Sequence, residues 1–168
     1  CVTRALENAV SHGIFGYTEP KSGYFEALHD WFLKRHHWKT EPEWLVKTPG
    51  VVYAICTAIR ALTAEGDAIL IQQPVYYPFS LAIQDNKRQL INNPLVLKNG
   101  RYEIDFVDFE KKITENHVKM FILCNPHNPV GRVWSRQELT TMADICLAHN
   151  VTVISDEIHA DFTFPGHH

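Results

Sequence analysis

Leu123-Cys124-Asn125-Pro126-His127-Asn128-Pro129-Val130-Gly131-Arg132 is the stretch that decides the fold. It starts where the apolar run 118–123 ends, and one strand and helix later the apolar run 151–154 is followed by Ser155-Asp156-Glu157-Ile158-His159. Short apolar runs bounded by turn residues read as buried strands. Open α/β sheets bind ligands just beyond the carboxyl ends of such strands. The two polar segments therefore read as two halves of one site.

Outward from these segments the chain alternates between strand and helix patterns. Ser135 with Glu138 three residues on predicts a capped helix over 135–149, and Asp105 predicts the cap of a helix over 105–114. A strand is expected over 67–72, closed by Pro74, then a helix over 77–85 and an extended stretch over 89–97 interrupted by Pro94. Pro49-Gly50 marks the start of a helix over 51–64, preceded by a short extended segment at 45–47. Helical spacing recurs at 3–12 and 24–37, around the turn-rich segment 13–23. The alternation predicts an α/β fold, a mostly parallel sheet with helices on both faces and right-handed crossovers.

Composition narrows the function classes. At 168 residues, 45% of them hydrophobic, the chain can bury a substantial core, and its net charge of -3 with scattered Lys and Arg does not describe a nucleic-acid partner. No run approaches the about 18 apolar residues of a membrane span, so no membrane partner is expected. Cys1, Cys56, Cys124 and Cys146 lack metal-binding spacing. With Cys56 and Cys146 on apolar helix faces, they read as reduced thiols suited to the cytoplasm.

Four segments carry chemistry. Asp156, at the end of an apolar strand, needs a positive partner such as a protonated heterocycle nitrogen, or else serves to cap the next turn. Asn128, in a proline-braced loop, can aim its amide at a ligand oxygen. Thr48-Pro49-Gly50-Val51-Val52 opens a helix whose free N–H groups suit a phosphate. Pro74-Val75-Tyr76-Tyr77-Pro78-Phe79 follows a strand and can lay an aromatic ring over a planar ligand, or pack in the core.

These segments, together with Phe15-Gly16-Tyr17-Thr18, stand in the order found in the pyridoxal-phosphate enzymes of the aspartate aminotransferase fold. The chain resembles most closely their cystathionine β-lyase-like C-S lyase subgroup. The resemblance implies part of the large domain of a pyridoxal-phosphate-dependent transferase over 23–168, with 1–22 as an N-terminal segment and dimer-facing loop. It implies that Asp156 pairs with the pyridine nitrogen, Asn128 bonds the ring hydroxyl oxygen, Tyr76 stacks on the ring and the Val51 and Val52 N–H groups hold the phosphate. Tyr17 would reach the partner subunit's phosphate in a homodimer whose active site is shared. His159 stands where many transaminases of this fold carry tyrosine, and the Asp-Glu-Ile-His form is similar to the lyases. The implied reaction is cleavage of cystathionine or related cysteine thioethers to pyruvate, ammonia and a thiol. The alternative is transamination of an amino-acid substrate.

The family's cofactor-bearing lysine lies downstream of Asp-Glu-Ile-His, and none of the nine lysines here matches it. The arginine for the substrate carboxylate and the small domain are likewise expected beyond His168, so the sequence reads as a portion of a longer enzyme. Three rivals are weaker. A DExH helicase box lacks the GxxxxGK[ST] loop it requires. A zinc site from His127, His159, His167 and His168 lacks ligand spacing. A non-catalytic interaction module carries more weight than these two, because some members of the resembling subgroup also bind regulatory proteins and a truncated chain could survive as such a module.

Overall fold

The computed structural model describes residues 1–17 and 19–166; Thr18, His167 and His168 lie outside the described residues. The chain forms two compact units, Cys1–Lys47 and Thr48–His168.

The first unit holds helices α1 (Val2–Ser11) and α2 (Ser22–His36) and a 3-10 turn, Pro42–Trp44. Helix α2 stops at His37, whose left-handed φ of 52° turns its N–H back to the Phe32 carbonyl. Residues 45–47, expected as an extended segment, form no strand. Leu45 is extended in backbone, but no described strand lies alongside to accept its hydrogen bonds.

The second unit is built on a four-stranded parallel sheet. Its elements are α3 (Val51–Leu62), β1 (Ala68–Ile71), α4 (Pro78–Asp85), β2 (Gln89–Asn92), β3 (Val96–Lys98), β4 (Arg101–Glu103), α5 (Phe106–Glu115), β5 (Met120–Cys124), α6 (Arg136–Ala148) and β6 (Thr152–Asp156). The sheet order is β2-β1-β5-β6, so β1 and β5 are its centre, and every residue of both is buried. Because side chains alternate across a strand, one strand feeds two cores. Ile69, Ile71, Met120, Ile122 and Cys124 pack with Ile55 and Ile59 of α3 and with Phe79 and Ile83 of α4. Leu70, Phe121 and Leu123 pack with Phe109 and Ile113 of α5 and with Met142 and Cys146 of α6. Helices cover both faces, as the alternation predicts.

One expectation differs among the described residues. The run 151–154 reads as a buried strand, yet β6 is an outer strand of the described sheet, with Thr152, Val153 and Ser155 exposed. The extended stretch 89–97 is interrupted at Pro94 as expected and divides into β2 and β3, because Pro94 cannot donate to a ladder. Strand β4 was not expected, although its signal is plain. Lys98 pairs with Arg101 across Asn99-Gly100, with φ of 50° and 77°, a two-residue turn that Asn-Gly adopts readily.

The caps behave as their chemistry requires. The Asp105 side chain accepts the Asp108 N–H, and Ser135 and Glu138 complete a reciprocal capping box at α6.

Candidate active site

A cavity of about 320 Å³ opens at the carboxyl ends of β1, β5 and β6, where β1 and β5 part company. It is lined by Val51, Val52, Tyr76, Cys124, Asn128, Asp156, Ile158 and His159. Six residues singled out in the sequence thus share one enclosure, although more than a hundred positions separate Val51 from His159. Tyr17, the seventh, belongs to the first unit and is fully exposed there.

Val51 and Val52 occupy the first turn of α3. The first helical hydrogen bond is donated by Ala54 to the Gly50 carbonyl at 3.0 Å, so the N–H groups before Ala54 have no acceptor within the helix. Tyr76 is held edge-on by the buried Phe79, their ring centroids 5.9 Å apart at 87°.

Asn128 sits in a loop pinned at several points. Asn125 donates its N–H to the Asp156 carbonyl at 3.0 Å, prolonging the β5–β6 ladder, and its side-chain oxygen accepts the Trp134 N–H at 3.0 Å. The turn closes where Gly131 donates to the His127 carbonyl at 2.8 Å and His127 donates to the Arg132 carbonyl at 2.7 Å. Gly131 has φ of 69°, a conformation that costs a side-chain-bearing residue strain. Within the loop the Asn128 N–H is given to the Cys124 sulfur at 3.5 Å, and the thiol donates to the Pro126 carbonyl at 3.6 Å. Burial pushes the Cys124 thiol pKa up; the Asn128 N–H opposes that shift and the Asp156 charge adds to it.

Asp156 is only 7% exposed, and one of its carboxylate oxygens accepts the Ile158 N–H at 3.1 Å. That bond is the turn-capping role weighed from sequence. The carboxylate has no basic partner among the described residues, and it faces the cavity with Asn128 and Tyr76. A cationic group bound there would meet in that carboxylate the counter-charge its desolvation requires.

Beneath the loop lies a rigid foundation. Trp134 is fully buried and donates its indole N–H to the Cys124 carbonyl at 3.1 Å. Arg132 donates to the Tyr102 carbonyl and, at 2.8 and 3.0 Å, to both oxygens of Glu138. Burial acts to raise the Glu138 pKa, but the Ser135 N–H and the Arg132 guanidinium outweigh it and hold the carboxyl below its ordinary value.

Sequence reasoning missed Cys124 and Ile158 as cavity-lining residues. Cys124 could have been found from the alternation of β5, which puts it on the side of Met120 and Ile122. Among the described residues no group of three His, Cys, Asp or Glu side chains could hold a metal ion, and no helix is long and apolar enough to cross a membrane.

Residues 1–168 match the family model described as aminotransferase class I and II. The chain belongs to that family. It is 48% identical over 166 residues to cystathionine beta-lyase PatB of Bacillus subtilis strain 168, a match covering 99% of this chain and 43% of that protein. Two solved structures share the fold. Cystalysin from Treponema denticola, which contains pyridoxal 5'-phosphate, superposes with a TM-score of 0.90 at 39% identity over 98% of this chain and 42% of that one. The pyridoxal-phosphate-bound C-S lyase from Staphylococcus hominis superposes with a TM-score of 0.88 at 38% identity over 95% of this chain and 42% of that one. The sequence therefore spans less than half the length of these proteins.

Proposed function

We propose that this chain is part of a pyridoxal-phosphate-dependent carbon-sulfur β-lyase acting on cystathionine or related cysteine thioethers. The observation that carries the reading is the convergence of Val51, Val52, Tyr76, Asn128, Asp156 and His159 on one cavity. Its donor set suits a flat ligand with an anion at one end and a cationic ring nitrogen. The free N–H groups of the α3 first turn would take the phosphate, Tyr76 would lie on the ring, Asn128 would donate to the ring oxygen, and Asp156 would keep a proton on the ring nitrogen. When bound, the cofactor supplies an electron sink for the substrate α-carbon. Asp156 and Asn128 orient it, and the apolar walls from Val51, Val52 and Ile158 limit water.

The reading extends to the whole protein: a cytoplasmic homodimer with segment 1–22 facing the partner, and 23–168 as part of the cofactor-binding domain. The exposure of Ile14, Phe15 and Tyr17 and the four free cysteines support these two inferences. The similarity to cystathionine beta-lyase PatB and to the C-S lyase from Staphylococcus hominis favours elimination. The family model, described as aminotransferase, favours transamination as the second reading.

The deciding experiment supplies the full-length protein with pyridoxal phosphate and L-cystathionine, with and without an α-keto acid acceptor. Pyruvate without acceptor supports the lyase. Conversion of the acceptor to its amino acid, with only a trace of pyruvate, makes the enzyme a transaminase. Neither product, and no visible absorption from bound cofactor, would overturn the cofactor reading and bring the interaction module forward.

A further inference from the structure

Strands β1 and β5 pair only at Ile69 with Met120 and at Leu70 with Phe121. Beyond those pairs they diverge, and the diverging ends carry Tyr76 on one side and Asn128 on the other. The His127 side chain spans the gap. His127 is 2% exposed, and its Nε2 lies 3.2 Å from the carbonyl oxygen of Gln72, the residue directly after β1. A carbonyl can only accept, so Nε2 carries the hydrogen and Nδ1 is bare. Nδ1 is buried with no partner, and Trp134 meets the ring edge-on with centroids 5.5 Å apart. The bond to Gln72 is thus the polar contact that orients the ring.

Gln72 is itself fixed. It is 2% exposed and gives its side-chain amide to Asn93 at 3.0 Å, while Asn93 donates to the Asp105 carbonyl at 3.2 Å and to Asp108 at 2.9 Å. A buried polar relay therefore runs from the start of α5 through β2 and β1 to the residue beside Asn128. Networks of this kind hold backbone position where sheet pairing has stopped.

The geometry points to His127 as a positioning residue whose bond to the Gln72 carbonyl sets the span between Tyr76 and Asn128, and so the affinity for the flat cofactor. The inference rests on the proposed pyridoxal-phosphate site. Burial supports it by keeping the imidazole neutral, with its pKa pushed down to about 4.

The test is a titration of the apo form of the full-length protein with pyridoxal phosphate, read by equilibrium dialysis. His127→Leu fills the same space without a donor and is expected to raise the dissociation constant about tenfold, the worth of one buried hydrogen bond. His127→Gln, whose amide reaches the same carbonyl, is expected to restore most of that affinity. In an Asn128→Ala background, the His127→Leu effect is expected to shrink to about twofold, because coupled residues are not additive. Should His127→Leu not fold, His127→Asn, with an amide too short to reach Gln72, takes its place in each comparison. Unchanged affinity in the donor-less variant, no rescue by His127→Gln, or an undiminished effect in the Asn128→Ala background would each overturn the assignment while leaving the cofactor reading intact. Wild-type protein that takes up no pyridoxal phosphate would remove both.

Discussion

The Arg132 guanidinium lies over the Trp134 indole, 4.5 Å from the ring centroid, with the other end of the guanidinium paired to Glu138. Charge and aromatic face are both almost entirely out of water, where such contacts are strongest. Trp134→Ala should therefore cost about 3–5 kcal/mol, through the cavity and the orphaned Cys124 carbonyl together. Trp134→Phe should cost about 1–3 kcal/mol, from the unpaired carbonyl and a weaker cation contact. Equilibrium urea unfolding measures both, and a Trp134→Phe variant as stable as the wild type would refute the bonding role of the indole N–H.

Asp156→Ala should leave the fold and much of the cofactor affinity in place while slowing α-proton loss from substrate by several orders of magnitude. Tyr76→Ala should weaken cofactor retention more than turnover at saturating cofactor. Deuterium exchange at the substrate α-carbon separates these effects, and near-normal exchange in Asp156→Ala would remove that carboxylate from the mechanism.

His127 makes stability depend on pH in a defined window. Its folded value of about 4 lies below the ordinary 6.5, so between those limits the unfolded chain takes up a proton that the folded chain refuses. Stability from this group is complete above pH 6.5, falls as pH drops towards 4, and then levels, a loss on the order of 3 kcal/mol. Glu138, held below its ordinary value, contributes a loss of the same sign, complete only once pH falls through its folded value. Comparing wild type with His127→Gln at pH 7 and pH 4.5 isolates the histidine. Parallel losses in the two proteins would show that His127 does not titrate on unfolding.

Cys124 and Cys146 should resist alkylation at pH 8. Both are buried, and burial pushes the Cys146 thiol up to about 11, leaving a thiolate fraction roughly a hundredfold below that of an ordinary thiol. The exposed Cys1 should be labelled first. Mass spectrometry after a short iodoacetamide pulse reads the order directly, and early labelling of Cys124 would mean that the Asn128 loop opens in solution.

Those parts of the fold written in local chemistry were legible in the sequence. Ser135 with Glu138 marks α6, and the unbroken apolar run at β5 marks a strand buried on both faces. The Asn99-Gly100 turn was equally local and was overlooked. In the site, Asn128 and Asp156 announced themselves as polar residues at apolar strand ends. The tie from His127 to Gln72 spans fifty-five positions and exists only once β1 and β5 have separated, so no local pattern could mark it.

The register of β5 with β6 sets Cys124 directly opposite Asp156. Side chains on a strand alternate strictly, so a slip of one residue would turn the Asp156 carboxylate to the opposite face and offer Ser155 or Glu157 in its stead. The cavity therefore works as a gauge of correct assembly: a ligand that needs that carboxylate will sort well-folded molecules from misthreaded ones, without any separate quality check.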